Sequence, residues 1–100
     1  MISVDVSILI PMKNNAATLE ALLRAIEAQE FDGTRETIIV DSGSTDGSLE
    51  IAASHDVQLS RIPPEQFHHG STRNLLAARA SGRLLVFMSA DAEPASRQWL

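Results

Sequence analysis

Residues 37–52, Thr37-Ile38-Ile39-Val40-Asp41-Ser42-Gly43-Ser44-Thr45-Asp46-Gly47-Ser48-Leu49-Glu50-Ile51-Ala52, pass from an apolar, β-branched run through turn-forming residues into a helical pattern. Thr37–Val40 (TIIV) has no polar alternation, which marks a strand buried on both faces. The run Asp41–Gly47 holds the Ser, Asp, Thr and Gly that turns and helix caps favour. A weaker helix follows over about Ser48–Ser54, with Leu49, Ala52 and Ala53 on one side. Strand, polar loop and helix in this order form half of a parallel crossover.

The same unit recurs on either side. Upstream, Val4–Ile10 (VDVSILI) reads as a strand closed by Pro11. Leu19, Leu22, Leu23 and Ile26 then fall at i, i+3, i+4 and i+7, the stripe of a helix over about Ala16–Gln29, with Asn14 or Asn15 able to cap it. Phe31-Asp32-Gly33-Thr34 breaks that pattern. Downstream, Val57–Ile62 is a third strand stopped by Pro63-Pro64, and a polar loop runs to Gly70. A helix over about Thr72–Ala80 shows Leu75, Leu76 and Ala80 as its apolar side, with Gly82 suited to its C-terminal stop. Leu84–Met88 is a fourth strand that reads as buried, and Trp99-Leu100 opens a further helix.

The order β-α-β-α-β-α-β predicts a Rossmann-like α/β/α three-layer fold with a mainly parallel sheet. Right-handed crossovers lead to the strand order 3-2-1-4. The chain then reverses direction between strands 1 and 4, where the loops at their carboxyl ends open a crevice of the kind that binds ligands. Both loops are polar: Pro11-Met12-Lys13-Asn14-Asn15 after strand 1 and Ser89-Ala90-Asp91-Ala92-Glu93 after strand 4. The loop Asp41–Gly47 borders the same rim.

The bulk numbers bound the function. One hundred residues are one domain or part of one. Thirteen acids against eight bases give a net charge of −5, with the bases scattered, which argues against nucleic acid as a partner. The absence of cysteine excludes disulfides and thiolate metal sites and fits a reducing compartment. The N-terminus lacks a basic stretch followed by an apolar one, and the apolar runs fall far short of the ~20 residues of a membrane helix. A cytoplasmic location is the expectation. The strand-1 loop has no glycine, so it is not a G-x-G-x-x-G turn, and no G-x-x-x-x-G-K-[ST] loop occurs. A phosphate-bearing ligand would be held by side chains.

In order along the chain, "ILIPMKNN", "IIVDSGSTDGSLEIA", "HGSTRNLLAARASGRLLVFMSADAEP" and the trailing "WL" resemble the nucleotide-binding half of family 2 glycosyltransferases, of GT-A fold. "IPPEQFHHGSTRN" is similar to members described as rhamnosyltransferase-like. The resemblance implies that residues 1–100 are the N-terminal, nucleotide-sugar-binding part of a domain that continues beyond Leu100 and is truncated here. It also implies an acceptor half and a catalytic base in that continuation. By the same resemblance Asp41 faces the nucleoside, and Ser42 stands where many members carry a second acid. Pro11 and Asn14 match the strand-1 loop, while Lys13 replaces an aromatic residue. Arg73 points to the nucleotide. Ser89-Ala90-Asp91 lies over the D-x-D motif, with serine for its first acid.

The implied activity is transfer of a sugar from a nucleoside-diphosphate donor, a UDP- or TDP-sugar, to a hydroxyl of a glycan or lipid-linked acceptor. Cell wall or polysaccharide biosynthesis is the implied setting, with a peripheral place at the inner face of the membrane. The residue chemistry fits. A carboxylate at Asp41 can accept the N–H of uracil or thymine. Asp91 can anchor Mg2+ or Mn2+, with Ser89 reaching the ion through water. Arg73 and Lys13 can add positive charge as the sugar–phosphate bond breaks.

Plainer readings stand beside these. Asp41, Ser44, Asp46 and Gly47 fit turn and cap chemistry alone, and Asn14 fits a cap. Arg73, in the first turn of its helix, opposes the helix dipole, which puts a functional role level with that of a solvated surface arginine. His68 and His69, adjacent in an extended loop, point opposite ways and are poorly placed to share a metal ion. A non-catalytic nucleotide- or protein-binding module on the same fold is the rival function, favoured by Ser89 and Lys13. A sugar nucleotidyltransferase would need a glycine- and arginine-rich loop after strand 1, which is absent. Self-association through an apolar face left by truncation is a further expectation.

Overall fold

The computed structural model describes residues 4–28, 33–63 and 69–88. Strands and helices alternate as β1 Val4–Met12, α1 Ala16–Glu27, β2 Arg35–Asp41, α2 Ser48–Ala53, β3 Gln58–Arg61, α3 His69–Arg79 and β4 Gly82–Phe87. All pairings are parallel and the sheet order is β3-β2-β1-β4, as the sequence predicts.

Strand parity divides the core into two layers. Val6, Ile8, Ile10 and Met12 of β1 and Ile39 of β2 face Leu19, Leu22, Leu23 and Ile26 of α1 and Ala52 of α2. Leu9, Ile38 and Val40 face the other way, onto Leu76 of α3. The α1 stripe is thus wholly buried, each leucine contributing about 1.5–3 kcal/mol of transfer free energy. No described helix is long and apolar enough to cross a membrane.

Several boundaries depart from the sequence reading, each for a physical reason. Pro11 does not close β1, which continues to Met12, because only one of its two ladders needs an N–H there. On the β2 side Pro11 pairs with Val40 and Met12 with Asp41. On the β4 side the Leu9 carbonyl accepts the Met88 N–H at 3.0 Å, and the next rung would require an N–H from residue 11, which proline lacks. Proline removes the donor for that rung and leaves the β2 pairing intact.

Gly82 opens β4 rather than stopping α3. A Cβ there would lie 2.5 Å from the Ser7 backbone nitrogen and 2.6 Å from its Oγ, so glycine is required by the close approach of β4 to β1. The Gly82 N–H donates to Ser7 Oγ at 2.7 Å, and that hydroxyl donates to Glu36 at 2.5 Å. Glu36 also accepts the Ser81 N–H at 2.6 Å and the Gln58 side-chain amide at 3.0 Å. Burial alone would raise this carboxyl; the Ser7, Ser81, Gln58 and Gly82 donors outweigh it and hold the group below its ordinary value. This polar cluster lets β2 begin at Arg35, two positions before the apolar run.

Helix α3 begins at His69, earlier than the apolar pattern indicates, so Arg73 lies beyond the first turn and does not oppose the helix dipole there. Strand β4 is an edge strand in the described sheet and is not buried along its length: Leu84, Leu85 and Phe87 are 59%, 38% and 37% exposed.

Candidate functional site at the carboxyl rim of the sheet

The carboxyl ends of β1 and β2 deliver two polar loops side by side, since Met12 pairs with Asp41 at the last rung. The Ser42 N–H donates to the Met12 carbonyl at 3.0 Å and its hydroxyl turns to the same oxygen, so Ser42 is buried. Asn14 adopts φ 53°, a left-handed conformation that asparagine tolerates better than most residues.

From there the loops interlock. Three consecutive N–H groups of the β1–α1 connection donate to side chains of the β2–α2 loop: Asn14 to Ser44 Oγ at 2.8 Å, Asn15 to Ser48 Oγ at 2.9 Å, and Ala16 to Asp46 Oδ2 at 3.0 Å. In return Asn14 Oδ1 accepts the Thr45 N–H at 2.8 Å. Asn15 holds the N-cap position of α1 but its side chain makes no cap bond; its oxygen takes the Lys13 N–H instead. Neither asparagine caps the helix as the sequence suggests. Asp46 does so across the fold, where a negative charge also complements the helix dipole. The Ser48 hydroxyl, at 2.6 Å, and the Ala16 N–H hold its carboxyl below the ordinary value, with burial opposing weakly.

Asp41 lies at the tip of β2, fully buried. Its Oδ2 accepts the Gly43 N–H at 3.1 Å and the Ser44 N–H at 3.0 Å, and its Oδ1 accepts the Ser44 hydroxyl. Pro11, Lys13, Asn14, Asp41 and Ser42 are therefore gathered at one rim, with Lys13 and Asn14 exposed and Asp41 and Ser42 inside. The consequence for anions is direct. The N–H groups of Lys13, Asn14, Asn15 and Ala16, which lead into α1, are already taken by side chains, so a phosphate here would rely chiefly on side chains or a cation.

Arg73 reaches the same end of the sheet from α3. Its guanidinium stacks on the Phe87 ring, 4.4 Å from the centroid, at the last residue of β4. Ser89, Asp91 and His68 lie outside the described residues. Among the described residues no group of three His, Asp or Glu side chains could share a metal ion. A cleft of about 440 Å³ lined by Val4, Leu23, Ile26, Arg35 and Val57 lies at the opposite, amino end of the strands.

Sequence reasoning treats Ser44, Asp46 and Ser48 as turn and cap residues of their own loop and misses their bonds to the other loop. The usable signal is that α1 is preceded by two asparagines while β2 is followed by a surplus of short side-chain acceptors. Also missed is His55, just beyond α2, whose ring nitrogens meet Glu27 at 2.7 Å and Glu20 at 2.8 Å on α1.

The resemblances agree with this geometry. The chain is 34% identical over 100 residues to glycosyltransferase AglE of Haloferax volcanii, covering 95% of this chain and 33% of that protein. It is 40% identical over 58 residues to the O-antigen chain rhamnosyltransferase WbaN of Salmonella anatum, covering 57% of this chain and 18% of that one. Its fold superposes on the mannosyltransferase PcManGT of Pyrobaculum calidifontis, solved with GDP-Man and Mn2+, with a TM-score of 0.78 at 28% identity. That match covers 97% of this chain and 30% of PcManGT. The chain thus spans about a third or less of the length of these relatives. With the glycosyl transferase family 2 model matching residues 7–100, a parallel sheet in the order β3-β2-β1-β4, and two polar loops joined beside the place where its winding reverses, the chain belongs to glycosyl transferase family 2.

Proposed function

We propose that the chain is the donor-binding part of a glycosyltransferase that moves a sugar from a nucleoside diphosphate to an acceptor hydroxyl. Pro11, Lys13, Asn14, Asp41, Ser42, Arg73 and Asp91 form the donor side of the site. The observation that carries this reading is the convergence of the loops after β1 and β2 next to the switch point between β1 and β4, where an arginine is held at the end of β4. Family membership and the donor sugar named for PcManGT support it.

Lys13 and Arg73 supply charge to the diphosphate from side chains, which suits a rim whose Asn14, Asn15 and Ala16 N–H groups are engaged. Asp91 is the residue to which a divalent cation, Mg2+ or Mn2+, is assigned; such an ion would neutralise the leaving diphosphate. The acceptor hydroxyl, on a glycan or lipid-linked chain, attacks the anomeric carbon and its proton passes to a base placed beyond residue 100. A cytoplasmic protein peripheral to the membrane suits such acceptors. A non-catalytic binding module is the second reading, favoured by the complete burial of Asp41 and by serine at position 89.

Titration calorimetry of the full-length protein tests the first reading. GDP or UDP binding should tighten on adding Mn2+, and Asp91→Ala should remove that increment. Identical metal dependence in the variant would take the cation away from Asp91. Nucleotide binding without any sugar transfer would favour the second reading.

A further inference from the structure

We infer that Asp41 is a positioning residue of the donor rim: it fixes the β2–α2 loop and, through Ser44, the β1–α1 loop, without itself touching the nucleobase. The inference rests on the donor-site reading above and specifies how that site is built. Asp41 is 0% exposed. Three of the roughly four lone-pair positions of its carboxylate are filled from its own loop, by the Gly43 and Ser44 N–H groups and the Ser44 hydroxyl. The fourth position, on Oδ1, belongs to a carboxylate with no exposed surface, so a base N–H could reach it only by displacing the loop that Ser44 Oγ ties down. Ser44 Oγ also receives the Asn14 N–H at 2.8 Å, so displacing it would open the joint between the loops. A buried carboxylate deprived of donors is costly, which holds the relay closed.

The relay therefore runs Asn14 N–H to Ser44 Oγ, and Ser44 O–H to Asp41 Oδ1, with Asn14 Oδ1 returning to the Thr45 N–H. It links a left-handed residue of one loop to the strand tip beneath the other. The groups it leaves facing outward are the exposed Lys13, Asn14 and Thr45. None of these contacts depends on whether the base carries an N–H between two carbonyls.

The discriminating measurement is the affinity of the full-length protein for UDP and for CDP, whose ring nitrogen at the corresponding place has no hydrogen. It is made for wild type, Asp41→Asn, Ser44→Ala and Ser44→Thr. Asp41→Asn and Ser44→Ala should weaken both nucleotides by one common factor, about tenfold for one lost hydrogen bond. Ser44→Thr, which keeps the hydroxyl, should bind both as wild type does. An Asp41→Asn variant that loses a preference for UDP over CDP, while Ser44→Ala keeps it, would overturn the inference. Unchanged affinities in both variants would overturn it equally. Amide exchange separates this from failure of the site itself. If wild type binds neither nucleotide but Ser44→Ala exposes the Asn14 and Thr45 amides while those of Ile8 and Ile39 stay protected, the donor reading falls and the relay stands.

Discussion

The Asp46 carboxylate accepts the Ala16 N–H at 3.0 Å, so the loop after β2 caps a helix that begins 30 residues earlier in the chain. Helix α1 has no side-chain cap of its own, and Asp46 is also tied to Ser48 at the start of α2. Asp46→Ala should therefore lower the urea midpoint of unfolding, and circular dichroism should show α1 losing its first turn. The pH dependence has a definite sign. The Ser48 hydroxyl and the Ala16 N–H hold the folded carboxyl below 3.8. Its stabilisation is complete above that value and is lost as pH falls through the folded pKa. Wild type should lose more stability than Asp46→Ala on acidification in that window.

His55 gives the opposite sign. Its ring bridges Glu27 and Glu20 of α1, Glu20 being paired in turn with Arg24, and these carboxylates raise its pKa above 6.5 against the effect of burial. Protonated, it pins the end of α2 to α1. The contribution is fully present below pH 6.5 and is lost as pH rises through the higher folded value. A plot of unfolding free energy against pH should fall across that range in wild type and flatten in His55→Gln; parallel curves would remove His55 from the account.

The fold was legible because its signals are local. The stripe Leu19, Leu22, Leu23, Ile26 and the β-branched runs of β1 and β2 need no knowledge of what they touch, and the sheet order follows from their alternation with helices. Burial of β4 was not legible, because Leu84–Phe87 is as apolar as a central strand and only the sheet reveals that it lies at the edge. The rim was legible as a place and not as a network. Asn14, Asp41 and Asp46 announce polar loops at strand ends. Which of them bonds to which is decided by residues some 30 positions apart, for which one sequence carries a surplus of acceptors but no pairing. Pro11 shows the same limit: whether a proline ends a strand depends on which neighbour needs its N–H.

Gly82 is fixed by contact rather than by backbone conformation. Its missing Cβ would meet the Ser7 nitrogen at 2.5 Å and the Val6 carbonyl carbon at 2.8 Å, both backbone atoms of the central strand. Gly82→Ala should therefore destabilise the fold by about 1–3 kcal/mol, in spite of the lower chain entropy alanine gives the unfolded state. Chemical denaturation measures it. A neutral or stabilised variant would mean that β4 does not approach β1 as closely as described.

Leu84 shares a face with Val6, while Leu85 and Phe87 share the opposite face with Ser7 and Leu9, so β4 exposes apolar side chains on both sides of the sheet. Its second edge has no partner among the described strands. Unpaired N–H and C=O groups beside exposed leucines favour strand-to-strand association, and natural edge strands resist it with charge. Arg83 supplies only one such charge here. The 100-residue chain should therefore associate with itself as its concentration rises, seen as an increasing sedimentation coefficient. Leu84→Lys should shift that onset upward by about tenfold or more in concentration, roughly the 1.5–3 kcal/mol of one leucine side chain, with little loss of fold because the side chain is already 59% exposed. Equal association in the variant would move the contact away from β4. A monomer at all concentrations would show that this edge is covered within the chain itself.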